Sequence, residues 1–113
     1  MGDINDILNM QHLNNALQKS IRMLRKNGEE YAKAERDYKV ALNKKALELR
    51  AKEDMPVTLI NKVIYGYQEI ADKRLIRDIA ESTYKANQEA INSYKLQIRI
   101  LDNQINREWG TNE

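Results

Sequence analysis

The sequence predicts an all-α protein: a long antiparallel two-helix hairpin, coiled-coil-like, with a short helical segment at its turn. Three observations carry this. Apolar residues recur in steps of three and four along two long stretches, neither of which contains a proline. The one proline, Pro56, lies between them in a short apolar connection. The composition is that of long helices: 32% of residues are charged, Ala, Leu, Ile, Lys, Glu and Arg are abundant, and Phe is absent. At 113 residues the chain is expected to form a single helical-hairpin domain, residues 1–113.

The first long helix is expected over about 5–53. Asp3, Asn5 and Asp6 precede the periodic residues, and their side-chain oxygens accept from the unpaired N–H groups of a helix start. From there Met10, Leu13, Leu17, Ile21, Leu24, Tyr31, Tyr38, Leu42, Ala46 and Leu49 recur at helical spacing. Asn27-Gly28 interrupts this run and is also a turn signal. The seam stays in phase on either side of it, which favours a continuous helix carrying one weak turn. A helical glycine costs about 1 kcal/mol relative to alanine. Glu29 with Lys33, Glu35 with Lys39 and Glu48 with Lys52 are each a glutamate followed four residues later by a lysine, which suits a solvated helix face.

Pro56 must end this helix. It disfavours helical geometry at Met55, and inside a helix it would remove a backbone hydrogen bond. The connection, 54–67, is expected to hold a short helix from Leu59 to Tyr65, capped by Thr58 and terminated by Gly66. The second long helix follows over about 68–109. Its seam is Tyr84, Asn87, Ile91, Tyr94, Ile98, Leu101 and Ile105. A fold-back centred near Leu59 and Ile60 sets Leu49 against Ile70, Tyr38 against Ala80, Tyr31 against Asn87, and Met10 against Trp109. Tyr31 and Asn87 are then a central polar layer, and Trp109 closes the seam. Polar residues in a seam fix register at some cost in stability.

The function classes narrow by exclusion. Formal charge is +2 with the signs interspersed, a surface with no strong pull toward nucleic acid or anionic membrane. Without cysteine there is no disulfide and no thiolate metal site. The N-terminal residues lack a basic stretch followed by an apolar core, and no apolar run approaches a membrane span, so a cytoplasmic protein is expected. His12 is the single histidine and has no partner at ligand spacing. Neither a nucleophile elbow, a glycine-rich phosphate loop nor a pair of catalytic carboxylates stands out, so no enzyme, cofactor or metal is expected.

The connection is the most apolar part of the chain, and three readings of it compete. It plugs the open end of the hairpin; it is an exposed docking patch formed by Leu59, Val63, Ile64, Tyr65 and Tyr67; or it is a helix-turn-helix-like tip. In the last reading Lys73, Arg74 and Arg77, with the basic faces around Arg22 and Arg25, meet nucleic acid, although Asp72 and Asp78 oppose that contact. Two helices alone bury one stripe each, so self-association is expected as well, as a homodimer with four helices. The second apolar positions Leu8, Met23, Val40, Leu47, Ile76 and Leu96 would mediate it.

Three segments carry a resemblance: AERDYKVALNKKALELR (34–50), MPVTLINKVIYG (55–66) and EAINSYKLQIRILDNQINREWG (89–110). Together they resemble a group of small helical proteins encoded by temperate tailed phages of Gram-positive bacteria, often near replication and recombination genes. The resemblance implies an accessory protein of the host-cell cytoplasm, and by analogy one that binds or inhibits a host or phage protein. No functional residue is carried over by it.

Overall fold

Helix α1 (Ile4–Lys52) runs through Asn27-Gly28 without a break, so the in-phase seam prevails over the turn signal. The computed structural model describes residues 4–110, which form α1, α2 (Val57–Val63), a 3₁₀ turn (Ile64–Gly66) and α3 (Gln68–Gly110), with no strand among the described residues. Asp3, expected to help start the first helix, lies outside them. The antiparallel hairpin of two long helices is as expected, and each boundary of α1 and α3 falls within about one residue of its predicted place.

The reason Gly28 is tolerated lies across the seam. A Cβ at this position would sit 3.2 Å from the Tyr84 ring, which packs over the glycine and against Tyr31 with ring centroids 6.0 Å apart. Glycine therefore lets an aromatic layer approach the α1 backbone closely. Beside it Asn27 is buried, a polar residue in the seam line that sequence reading treated as part of a turn signal.

Helix α1 stops as Pro56 requires. Asp54 takes a positive φ of 50°, the left-handed geometry that commonly ends helices, and the Met55 N–H donates to the Leu49 carbonyl at 3.2 Å. Arg50 Nη1 also donates to the Met55 carbonyl. The short helix begins two residues earlier than predicted. Pro56 is its N-cap, with no side-chain cap, and the Pro56 carbonyl accepts from the N–H groups of Leu59 and Ile60 at 3.0 Å. Thr58 is thus inside the first turn and is not the cap. Proline suits this place because it presets the backbone and has no N–H to leave unpaired. Gly66 closes the 3₁₀ turn, and Tyr67 leads into α3 with its carbonyl accepting from Ile70 and Ala71.

Packing divides the hairpin into two units. The first, residues 27–84, holds the later part of α1, the whole connection and the start of α3. Its core is Tyr38, Leu49, Ile60, Ile64 and Ile70, with Ala41, Leu42, Ala46, Met55 and Tyr67 packed against them. The second unit joins the segment of α1 up to Lys26 with the segment of α3 from Lys85 onward. Here Ile91 is buried, while Met10, Leu13, Leu17, Leu24, Tyr94, Ile98, Leu101 and Ile105 are half-buried along the two seams.

The register differs from prediction. Tyr31 meets Tyr84, and Ala34 and Ala80 line one groove, where Tyr31–Asn87 and Tyr38–Ala80 were expected. Asn87 instead donates from Nδ2 to the Ser20 carbonyl at 2.9 Å, within the second unit. The displacement, about one helical turn, originates in the connection. Lys45 meets Glu69 at 3.1 Å and covers the Tyr67 ring, so α3 begins beside Lys45 rather than beside the end of α1. Helix α2 occupies the length left over, against the last two turns of α1. Trp109 is likewise not a seam cap: it is 62% exposed, and Glu108, a three-residue step from Ile105, takes the half-buried place. Ile21 is exposed for the same kind of reason, since the seam steps from Leu17 to Ser20 and Leu24.

Candidate protein-interaction site

Helix α2 turns Thr58, Asn61 and Lys62 to one side, and its apolar residues continue into the 3₁₀ turn, where only some of them enter the core. Ile60 and Ile64, four residues apart, point inward against Leu49 and Ile70 and are buried. Leu59 is 43% exposed and Tyr65 45%, and Val57 is exposed at the start of the helix. Val63 and Tyr67 are half-buried at the margin. The five predicted docking residues therefore separate: Leu59 and Tyr65 form surface, Val63 and Tyr67 edge it, and Ile64 is a core residue at 4% exposure. Plug and patch coexist on one short helix.

Charged side chains brace this apolar tip. The Arg74 guanidinium lies over the Tyr65 ring, 5.2 Å from its centroid. Lys45 sits 4.3 Å from the Tyr67 centroid and bonds Glu69, and it also lies 3.9 Å from Glu48. The hydrogen bond to Glu69 raises the Lys45 ammonium above the ordinary lysine range. Tyr65 and Tyr67 are thereby held by their faces, which pre-orients an aromatic surface at low entropic cost.

The basic residues considered for nucleic acid are placed differently from one another. Arg77 is committed inside its unit: Nε donates to Asp78 at 2.7 Å, Nη1 to Glu35 at 3.1 Å, and the guanidinium covers Tyr38 at 4.7 Å. Asp78 first and Glu35 second raise its pKa above the ordinary arginine value. Glu35 also binds Lys39 at 3.4 Å, as the four-residue spacing predicts. Lys73 is exposed; Arg22 and Arg25 are exposed in the second unit. This network was missed from the sequence, though Ile70, Arg77 and Tyr84 being seven residues apart places Arg77 on the seam and was the available signal.

His12 borders a groove of about 360 Å³ with Leu13, Gln97, Ile100, Leu101 and neighbouring amides in the second unit. Among the described residues no three His, Cys, Asp or Glu side chains converge as a metal site, and no helix is long and apolar enough to cross a membrane. In comparisons with protein-family models, curated proteins and solved structures, nothing matches this chain.

Proposed function

We propose that this chain is a non-enzymatic helical interaction module that binds another protein through the outer side of its tip helix. The supporting observation is the division of the tip, α2 with the 3₁₀ turn: Ile60 and Ile64 satisfy the core, while Leu59 and Tyr65 remain at the surface, Tyr65 under Arg74. Thr58, Asn61 and Lys62 give α2 a polar side, and closing the hairpin end alone does not require Leu59 and Tyr65 to stand exposed next to it. Aromatic and aliphatic side chains on a rigid support are the residues that dominate binding energy in protein interfaces. The resemblance to phage accessory proteins suggests the setting, the host-cell cytoplasm, and the kind of partner, a host or phage protein whose activity the module redirects or blocks. In the same reading the protein acts as a homodimer, the long helices building the scaffold that presents the tips.

The test is affinity capture with the full-length chain from host lysate, read by mass spectrometry against a Leu59→Ser, Tyr65→Ser variant whose helicity is checked by circular dichroism. A protein retained by the native chain and lost with the variant supports the tip. Equal retention by both removes the tip from recognition. Retention of duplex DNA that falls steeply with salt, and weakens on neutralising Arg22, Arg25 and Lys73, would replace this reading with nucleic-acid binding.

A further inference from the structure

The long helices leave one flank of the first unit apolar and uncovered. Ile76 and Ile79 on α3 are 55% and 58% exposed, and with Ala34, Ala80 and Thr83 they border a groove of about 290 Å³ between the two helices. Leu75 adds to this ridge, and Val40 lies further along the same flank beside Ala41 and Lys73. The opposite flank of α3 carries Arg74, Asp78 and Glu81. This side-to-side asymmetry is what a helix acquires when one flank meets water and the other a protein.

We propose that this groove is the self-association surface, and that a second copy of the chain docks there across a twofold axis to complete a four-helix bundle. The proposal rests on the homodimer reading above and names its interface. Three features point to a second copy rather than to a foreign partner. The first is area. The chain exposes 8513 Å² of surface, whereas a compact monomer of 13.2 kDa exposes about 6400 Å². The excess, about 2000 Å² over the whole chain, is on the scale that obligate homodimer interfaces remove.

The second is shape. A twofold interface uses one patch on both sides, so the patch must hold ridge and recess together. Ile76 and Ile79 are the ridge, and the small side chains of Ala34, Ala80 and Thr83 are the recess next to it. Ridges of one hairpin can then enter the groove of the other, as in bundle packing.

The third is charge. Along this flank Glu30 stands at one end of the groove; toward the connection stand Lys44 and Lys73, together with Asp72, which accepts a hydrogen bond from Gln68 at 2.7 Å. Arg36 and Asp37, between them, are already joined at 3.0 Å. A copy related by a twofold axis perpendicular to the helices runs in the reverse direction, which brings Glu30 of one chain toward the lysines of its partner. The middle of the groove stays free of unmatched charge, as a buried interface centre requires.

The experiment uses the full chain, whose lack of cysteine makes single-cysteine variants clean probes. Sedimentation equilibrium should find the native chain dimeric at micromolar concentration. Ile79→Glu should weaken dimerisation by roughly a hundredfold or more, with helicity retained, because it buries a carboxylate in the interface. In parallel, a short bis-maleimide should couple two copies of Ile79→Cys or Thr83→Cys but not of Ala32→Cys, which lies on the far side of α1 from the groove. A native chain that stays monomeric overturns self-association itself. A dimer that survives Ile79→Glu, or that couples through Ala32→Cys, overturns this surface while leaving the dimer standing. Neither result touches the tip, which Leu59 and Tyr65 test separately.

Discussion

Around the connection, three elements meet; in the second unit, two helices meet alone. The difference appears directly in burial. Ala34, Tyr38, Leu49, Ile60, Ile64 and Ile70 are buried in the first unit, whereas among the described apolar residues of the second only Ile91 is. Both units use the same seam spacing and similar residue types. The lesson is geometric: two parallel cylinders shield only the line between them, and a third element is needed to enclose a side chain on all sides. Helix α2 supplies that element for seven residues' length, and the most deeply buried side chains, Leu49 and Ile70, share a cluster with its Ile60, whereas Ala34 and Ile91 are buried outside that cluster.

The largest effect should come from attacking this difference. Leu49→Ala removes a fully buried side chain and should cost about 3 kcal/mol, within the 2–5 kcal/mol range for such cavities. Leu101→Ala in the second unit removes a half-buried one and should cost about 1 kcal/mol. Urea denaturation of the two variants decides it, and equal losses would break the comparison.

Next in size is the polar brace of the first unit. Arg77→Met removes the bonds to Glu35 and Asp78 and the stacking on Tyr38, and should lower stability by about 1–2 kcal/mol. Arg77→Lys, which keeps the charge without the planar fork, should recover only part of this. Thermal melts at low and high salt read the difference, and a loss in Arg77→Met indistinguishable from zero would make the network ornamental.

Smaller, and of opposite sign, is the junction between α1 and α2. Asp54 holds a left-handed backbone that glycine adopts without a Cβ penalty. Asp54→Gly should raise stability by about 0.5–1 kcal/mol, seen as a higher melting temperature. A lower one would mean that the aspartate side chain contributes more than the backbone geometry takes away.

The smallest effect is expected at Gly28. Alanine there gains about 1 kcal/mol of helix propensity but must displace the Tyr84 ring, so Gly28→Ala should be neutral within about 0.5 kcal/mol. In a Tyr84→Ala background the same substitution should return its full gain. A double-mutant cycle measures this coupling, and its absence would show that the ring yields freely.

Much of the candidate site was legible in advance. The apolar excess between Val57 and Tyr67 drew attention to the connection, and Pro56 with Gly66 bounded it. The side of α2 that each residue takes was not legible. Thr58, Asn61 and Lys62 mark one polar side of the seven-residue helix, but Leu59, Ile60 and Val63, with Ile64 just after it, are all apolar, so the pair that turns inward is not marked. Which pair turns inward depends on where Leu49 and Ile70 already stand. The Arg77 network escaped notice because Arg77 stands 42 residues from Glu35, although its place in the heptad marked it as a seam residue.

The sequence by itself determined the two long helices, their ends and most of their seams. Spacing in threes and fours, one proline and one glycine are local signals, and a helix is a local structure. Tyr84, Asn87, Ile91, Tyr94, Ile98, Leu101 and Ile105 all lie inward, as their spacing requires. Only the tertiary structure decided the register of one helix against the other. Sliding a seam by one turn exchanges one apolar pair for another of similar energy, so periodicity scarcely distinguishes the alternatives. The choice falls to contacts that exist only after folding: Lys45 on Glu69 and Tyr67, the Tyr84 ring over Gly28, and Ile60 and Ile64 beneath Leu49.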